Sequence, residues 1–504
     1  MRVQRLFQLL TAVALWLAVA STGPQFGSSA SGTDTERRLQ ADVSFLASDE
    51  LEGRGTPSRG LNVAALYLQA QLQIAGVEPA VGNSYLQVYK IGEYRPAQAR
   101  VTVSIDGKAI PPDSYVLWNI GRDPAKGAMD LELVNAGNGV VAEERKVDDL
   151  AGLDVRGKAV VTRKGASWTL DPTQVLGPDR ALGKIMAATV RGAELLVYLS
   201  EDLDTASEAE AGFLREMKNA PVAFMREAGV GQASALNPVL VLKPQSLAGL
   251  TGVEPARLPR GPLGKRIKIA FEATVSEGTA PNVLGKIVGT DPKLRDEWVV
   301  LSAHYDHLGS HDVPSSQDGI WNGADDNASG TAAVLEIARR VAQRPGKRSV
   351  LVFFTSGEDR GILGSAYYAS RPIVPMDRVA VQINLDMIGR SQGRVEAISG
   401  CAPSLFEESL AIGKNHNIEV IPDQQPTWRV IYLTDVYHFA KAGVPGVEFF
   451  TGLHPDYHQP SDTADKIRYP EMARIVEMAS EMTRGYVDGK SRPKFVRPGW
   501  FMTP

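Results

Sequence analysis

From about residue 299 onward, short continuously apolar runs alternate with longer stretches in which apolar residues recur every three or four positions. The runs VVLSA (299–303), SVLVFF (349–354), VAVQIN (379–384) and GVEFF (446–450) have the length and β-branched or aromatic content of strands. A continuous run, unlike a strict alternation, implies burial on both faces, so these strands belong to a mainly parallel sheet with helices on either side. The segment from about Ser329 to Gln343 carries the helical period. Nearer the N-terminus, an amphipathic helix pattern begins at residue 36. It is followed by the loop SDELEGRGTPSRG and a second helix from about Leu61 to Ala75, stopped by Gly76. Between about 96 and 270 the pattern changes to short β-rich runs (RVTVSIDG, KAVVTRKG, AELLVYLS, PVLVLK) separated by Gly, Pro and Asp. The pattern therefore predicts an α/β fold: a mainly parallel, mixed sheet sandwiched by helices, interrupted by a smaller β-rich insert. The expected limits are 36–110 and 266–490 for the sandwich and 111–265 for the insert, with a C-terminal tail at 491–504.

Length and composition fit this reading. The chain has 504 residues, 43% hydrophobic and 22% charged, which is enough for more than one globular core. A formal net charge of −4 gives no basic surplus for nucleic acid or an anionic membrane surface. At the N-terminus, Arg2 and Arg5 precede an apolar run from Leu6 to Ala20 that ends in Ala18, Val19, Ala20. That run is shorter than the roughly 20 residues of a spanning helix, so residues 1–20 read as a cleaved export signal that leaves no membrane span. No Cys follows to carry a lipid, and the expected location is secreted or periplasmic. Residues 21–35, rich in Ser, Gly and Thr, read as a disordered tail. Cys401 is the single cysteine, so the exported chain folds without an intramolecular disulfide.

Histidine confines the chemistry. All seven (His304, His307, His311, His416, His438, His454, His458) lie at or after residue 304. His304, Glu358, Asp359, Asp386 and His458 each fall at or shortly after the carboxyl end of a predicted strand, and Asp326 lies in the loop before a predicted helix. Ligands of open α/β sheets bind outside the carboxyl ends of the strands, so two imidazoles and four carboxylates meet at one rim. Nitrogen and oxygen donors with a carboxylate able to bridge suit a pair of zinc ions. Three carboxylates (Asp326, Asp359, Asp386) and one hydroxide balance two divalent ions, which leaves Glu358 as a base. Taken singly, each feature has a plain structural reading as a surface histidine, a capped loop or a polar turn; taken together, they recur at successive strand ends. A calcium loop in DGIWNGADDNASG lacks the alternating acids and terminal Glu that such a loop needs.

The strings AHYDHLG (303–309), GADDNASG (323–330), SGEDRGILGSAYY (356–368), INLDMIGR (383–390) and HPDYHQPSDTADKI (454–467) resemble, in order, the M28 family of co-catalytic zinc peptidases. The insert, with VDDLAGLDVRGKAVVTRKG and GAELLVYL, is similar to the protease-associated (PA) domain of many members. The resemblance implies two zinc ions per chain: His304, Asp326 and Asp386 on one, Asp326, Asp359 and His458 on the other, with Asp326 bridging and Asp325 not a ligand. It also implies that Asp306 orients His304, and that Glu358 takes a proton from the attacking water and returns it to the leaving amine. The implied activity is hydrolysis of N-terminal residues from peptides with a free N-terminus. Asp359 departs from the pattern, since most members carry Glu there. Either the turn between Gly357 and Gly361 moves the backbone inward, or the second ion is held less tightly. Alternatives within the fold are a carboxypeptidase, for which Arg429 is the candidate cation, a glutaminyl-cyclase-like acyltransferase with one zinc, and an inactive binding protein. His307, His311, His438 and His454 are left as pocket lining or supporting groups, and His416 as surface.

Overall fold

A computed structural model of the chain describes residues 33–501, apart from 96–97, 119–127, 143–144, 166–180, 202, 204–221, 227–236, 312, 314–316, 425–429 and 499–500. The expected signal at 1–20, most of the expected tail and Arg429 lie outside the described residues. Helix α1 (Asp34–Leu46) begins inside the last two positions of that tail, capped by the Thr33 hydroxyl, which accepts the Glu36 amide at 3.2 Å.

The other helices of the main layer are α2 (Arg59–Ile74), α3 (Gly330–Gln343), α4 (Leu363–Ser370), α5 (Pro403–Asn415), α6 (Val436–Lys441) and α7 (Tyr469–Val487). Its strands are β1 (Leu86–Tyr94), β2 (Val222–Met225), β3 (Ser276–Ile287), β4 (Trp298–His304), β5 (Ser349–Thr355), β6 (Val379–Leu385), β7 (Arg394–Ile398), β8 (Glu419–Pro422) and β9 (Gly446–Phe450). They form one sheet in the order β2-β1-β3-β5-β4-β6-β9-β7-β8, with Glu78–Pro79 pairing beside β3. Strands β5, β4, β6 and β9 are mutually parallel, and antiparallel pairs flank them, so the sheet is mixed. The strand runs read from the sequence fall on β4, β5, β6 and β9.

The two faces of the central strands differ in a way that prepares the site. Val299, Leu301, Ala303, Val350, Val352, Phe354, Val381, Ile383 and Leu385 are fully buried in the core that also takes α1, α2, α3 and α7. Burying each such side chain contributes about 1.5–3 kcal/mol. On the opposite face the strands begin apolar, with Val300, Leu351 and Phe353 packed beside Tyr368 of α4 and Phe439 of α6. Toward the carboxyl ends that same face becomes polar: Ser302, His304, Thr355, Gln382, Asn384 and Glu448 are all buried. Alternation along each strand and the register Ser302–Asn384–Glu448 put these side chains in one row. Among them Ser302 Oγ donates to Asn384 Oδ1 at 2.6 Å and Asn384 Nδ2 to Glu448 Oε2 at 3.0 Å, which offsets part of the cost of burying them.

A second, eight-stranded sheet takes Lys108–Ala109, Arg100–Ile105, Gly261–Glu272, Met129–Asn135, Ala159–Arg163, Leu195–Leu199, Val239–Leu242 and Tyr115–Trp118, in that order. It starts before and ends after the expected limits of 111–265, while Val222–Met225 from within those limits joins the first sheet as β2. Among the described residues, no helix is long and apolar enough to cross a membrane.

Candidate metal centre

His304 is the last residue of β4, and Asp386 directly follows β6, where its amide donates to Phe449 O at 3.0 Å. Glu358 and Asp359 occupy the turn after β5, closed by hydrogen bonds of Gly361 and Ile362 to Glu358 O and of Leu363 to Gly357 O, each 2.8 Å. Asp326 lies in the irregular segment Ala324–Ser329 ahead of α3. His458 follows β9 in a loop and has a left-handed backbone at φ 54°; Met387, next to Asp386, has φ 47°. Such conformations cost of order 1–3 kcal/mol in a non-glycine residue and cluster where side chains must be aimed.

The six residues converge. His304 Nε2 stands 3.2 Å from Asp326 Oδ1 and 3.3 Å from Asp386 Oδ1. His458 Nε2 stands 3.2 Å from Asp326 Oδ2 and 3.2 Å from Asp359 Oδ1. One oxygen of Asp326 thus faces each cluster. Ligands at 2.0–2.1 Å around a tetrahedral zinc lie about 3.3 Å from one another, so both clusters have the spacing of zinc donors. Asp386 Oδ1 is buried and without a hydrogen bond among the described residues, as suits an oxygen that would ligate a cation. Burial disfavours a charged His304, yet Asp386 and Glu358 outweigh it and raise the imidazole well above its ordinary value. Burial also works against ionised Asp359, but His307 and His458 hold it well below the usual carboxylate range. Carboxylates that draw positive charge onto their neighbours this strongly suit divalent ions.

The supporting groups are as specific as the donors. Asp306 stands 3.8 Å from His304 Nδ1, beyond hydrogen-bonding reach; its oxygens accept instead from the Thr56 hydroxyl at 2.9 Å and the Glu358 amide at 3.2 Å. Asp306 thus stands on the Nδ1 side of His304, at more than ordinary hydrogen-bond length, and also ties the end of β4 to the Glu358 turn. Asp325 turns away from the clusters to meet the Gly389 amide (2.6 Å), the Ser329 hydroxyl (3.1 Å) and His454 Nε2 (3.1 Å). Glu358 is 4.0 Å from His304 Nε2, and burial, opposed by His304 and reinforced by Asp359 and Asp386, drives its carboxyl well above the usual range.

Asp462 and Arg54 escaped the sequence reading, and His307, expected as pocket lining or a supporting group, lies against the second cluster. His307 Nδ1 lies 2.9 Å from Asp359 Oδ2 and 3.7 Å from Asp326 Oδ2. Asp462 Oδ2 accepts the amides of Asp325 at 2.9 Å and Asp326 at 3.1 Å, fixing the bridging residue from its backbone. Arg54, wholly buried, donates to the carbonyls of Leu46, Tyr305 (2.8 Å), Asn322 (2.7 Å) and Gly323 (3.0 Å), so the N-terminal loop clamps the approach to Asp326. His307 and Asp462 stand inside the quoted strings, and their type was the available signal. Arg54 gave none beyond being a cation in a Gly-rich loop. His416 pairs with Glu481 at 2.8 Å at the surface.

A cavity of about 630 Å³ opens from the centre and is bounded by His304, Asp326, Glu358, Asp359, Asp386, Arg394, Glu396, Glu448 and His454, together with apolar residues that include Met387, Ile421, Leu433, Phe450, Leu453 and Tyr457.

Comparison with known proteins falls on the part of the chain that carries the centre. Residues 282–483 match Peptidase family M28. The chain is similar to aminopeptidase YwaD of Bacillus subtilis, 26% identical over 231 residues that make up 44% of this chain and 47% of that protein. A probable zinc metalloprotease of Pyrenophora tritici-repentis is 33% identical over 156 residues, 29% of this chain and 30% of its own length. The match thus spans half or less of each of these two relatives. Among solved structures, an aminopeptidase from Aneurinibacillus sp. strain AM-1 shares the fold at a TM-score of 0.51 and 18% identity, over 93% of this chain and 96% of that one. The segment similar to Peptidase family M28, residues 282–483, holds every one of the converging residues.

Proposed function

We propose that the protein is an exported di-zinc aminopeptidase. The observation that carries this reading is the two-sided Asp326, one oxygen beside His304 and Asp386 and the other beside His458 and Asp359. His304, Asp326 and Asp386 would hold one ion, and Asp326, Asp359 and His458 the other. A zinc pair supplies Lewis acidity toward the scissile carbonyl and toward water. Glu358, buried beside His304 and fixed through its amide by Asp306, accepts the proton of the attacking water and passes it to the departing amine. Three of the carboxylates offset the charge of the ions, and Glu358, Glu396 and Glu448 still outnumber Arg394 around the cavity. Carboxyl oxygens in excess of the one guanidinium suit the ammonium of a free N-terminus, which only donates hydrogen bonds. The N-terminal signal supports export, and the strand content between 100 and 272 is compatible with a PA-like insert.

Arg394 favours a second reading, a carboxypeptidase, because it is a guanidinium at the same cavity. The two readings separate on a panel of amino-acid nitroanilides, N-acetylated peptides and C-amidated peptides. An aminopeptidase cleaves free-amine substrates and spares the acetylated ones; a carboxypeptidase cleaves acetylated peptides and spares the C-amidated ones. Chelation should abolish activity and zinc should restore it, with two zinc ions per chain by elemental analysis. Activity that survives verified metal removal, or one bound ion at full activity, contradicts the di-zinc reading.

A further inference from the structure

We propose that the cavity beside the metal centre is a side-chain subsite selecting a cationic first residue, Lys or Arg, with Glu396 as its specificity-determining carboxylate. The inference rests on the aminopeptidase reading above and names the substrate class for that site.

The sheet register places the residue. Asp386 extends β6 beside the end of β9, and Phe450 of β9 pairs directly with Glu396 of β7. Directly paired residues share a face, so Glu396 stands on the same face as Glu448 and the metal-centre row, two strand spacings from Asp386, about 10 Å. The extended side chain of Lys or Arg spans roughly 6–7 Å from Cα to its charged end. A first residue whose amine and carbonyl sit at the centre therefore reaches Glu396 across the ring of Phe450.

The walls between are suited to an alkyl stem. Met387, Ile421, Leu433, Phe450, Leu453 and Tyr457 line the cavity, and apolar walls pack the methylenes of Lys and Arg while the charge continues to a polar partner. Glu396 is 7% exposed, and its Oε2 accepts the Gln424 amide at 3.0 Å. Its Oε1 faces Gly452, where a Cβ would come within 3.6 Å. The neighbouring carboxylate is already engaged: Glu448 accepts from Asn384 and Thr434. Arg394 shares the strand and face but lies exposed at its start, and no ion pair joins it to Glu396. A mostly buried carboxylate at the end of an apolar slot favours one occupant above others, a cation that completes a charge-assisted hydrogen bond.

The titratable or charged groups that share the cavity with Glu396 or act on it are Arg394 on its own strand, Glu448 on β9, Asp423 after β8 and His454 in the loop beyond β9. Burial, with Asp423 adding to it against the Gln424 amide and Arg394, pushes its carboxyl up to about 7. The carboxylate is thus charged above that pH and neutral below it, so selection for a cation strengthens as pH rises through about 7.

The test uses the full exported chain loaded with zinc, and the 4-nitroanilides of Lys, Arg, Met, Leu and Glu. Lys and Arg should exceed Met, which has a similar length, in kcat/KM, and the Lys-to-Met ratio should rise across about pH 7. Glu396→Gln can still accept the Gln424 amide; it should lower that ratio on the order of tenfold to a hundredfold, the worth of a hydrogen bond to a charged group. Glu396→Asp should keep part of the preference. A wild-type protein that cleaves Met and Leu as well as Lys, or a Lys-to-Met ratio unchanged in both variants at full zinc content, overturns the assignment of Glu396 while leaving the aminopeptidase reading intact. Inactivity of the zinc-loaded protein toward all five would overturn that reading itself.

Discussion

At Asp359 a carboxylate one methylene shorter than the usual Glu meets an imidazole at each oxygen, His458 at 3.2 Å and His307 at 2.9 Å. His307 holds the short side chain in one orientation, much as a hydrogen-bonded partner fixes a metal-binding residue. Removing it with His307→Ala should weaken the ion shared by Asp326, Asp359 and His458 by about 10–100-fold and leave the other in place, read as zinc per chain after graded dialysis. Equal loss of both ions would instead place His307 in the support of the whole cluster. Asp359→Ala should give a one-zinc protein of low activity. Glu358→Gln tests a different role: kcat should fall by about 10²–10⁴-fold with two zinc ions retained, and loss of zinc would show that base and ligand have been exchanged.

The turn that carries Glu358 and Asp359 moves the argument to the elements. A flexible Gly357 could have let the backbone adapt to the shorter Asp359, but its role here is close packing. At φ 71° an added Cβ would sit 2.9 Å from both Leu363 Cβ and the Tyr89 hydroxyl. Gly357→Ala should therefore displace the turn, destabilise the protein by about 1–3 kcal/mol and cost zinc as well as activity; normal zinc content with an unchanged Tm would show that the turn tolerates a side chain. This difference marks where the sequence stops being readable. The strands β4, β5, β6 and β9 were legible because their apolar runs end in the donors. The six residues that converge were legible as candidates because five of them fall at or shortly after successive strand ends and Asp326 lies in the loop before a helix. Contacts such as Thr56 to Asp306, Arg54 to Gly323 and Asp462 to Asp326 join residues more than a hundred positions apart, and no local pattern encodes them. Glu448, the lone charge of GVEFF, and Glu396, the buried charge of RVEAI, were visible in the sequence, but only the register of β7 on β9 shows that they face the cavity.

At the scale of the molecule, the two sheets meet in ways that decide what the second one does. Ser276 at the start of β3 pairs with Glu93 near the end of β1, so the chain leaves the first sheet and returns to it at adjacent points. Replacing residues 94–275 by a short Asn-Gly turn would close β1 and β3 into an ordinary hairpin, and all six converging residues lie outside that segment. The excision would not be neutral. Ile185, Met186 and Leu196 of the second layer share a core with Cys401, Ile431, Tyr432, Val436, Ala440 and Phe501, and loss of their cover exposes side chains that each contribute about 1.5–3 kcal/mol when buried. Removal of Val222–Met225 also leaves β1 as a bare edge, prone to pairing between chains. Polar replacements at Ile431 and Tyr432 should therefore be needed to keep the shortened protein monomeric, and its Tm should fall. Val430 and Leu433 both line the cavity and pack against the shared core, so the excision should alter which side chains are accepted before it alters the ions. The expected result is two zinc ions per chain by elemental analysis, with kcat/KM for the larger substrates changed more than for the smaller. A shortened protein with native-like circular dichroism and neither ion would show that the second sheet, rather than the rim of the first, builds the metal centre.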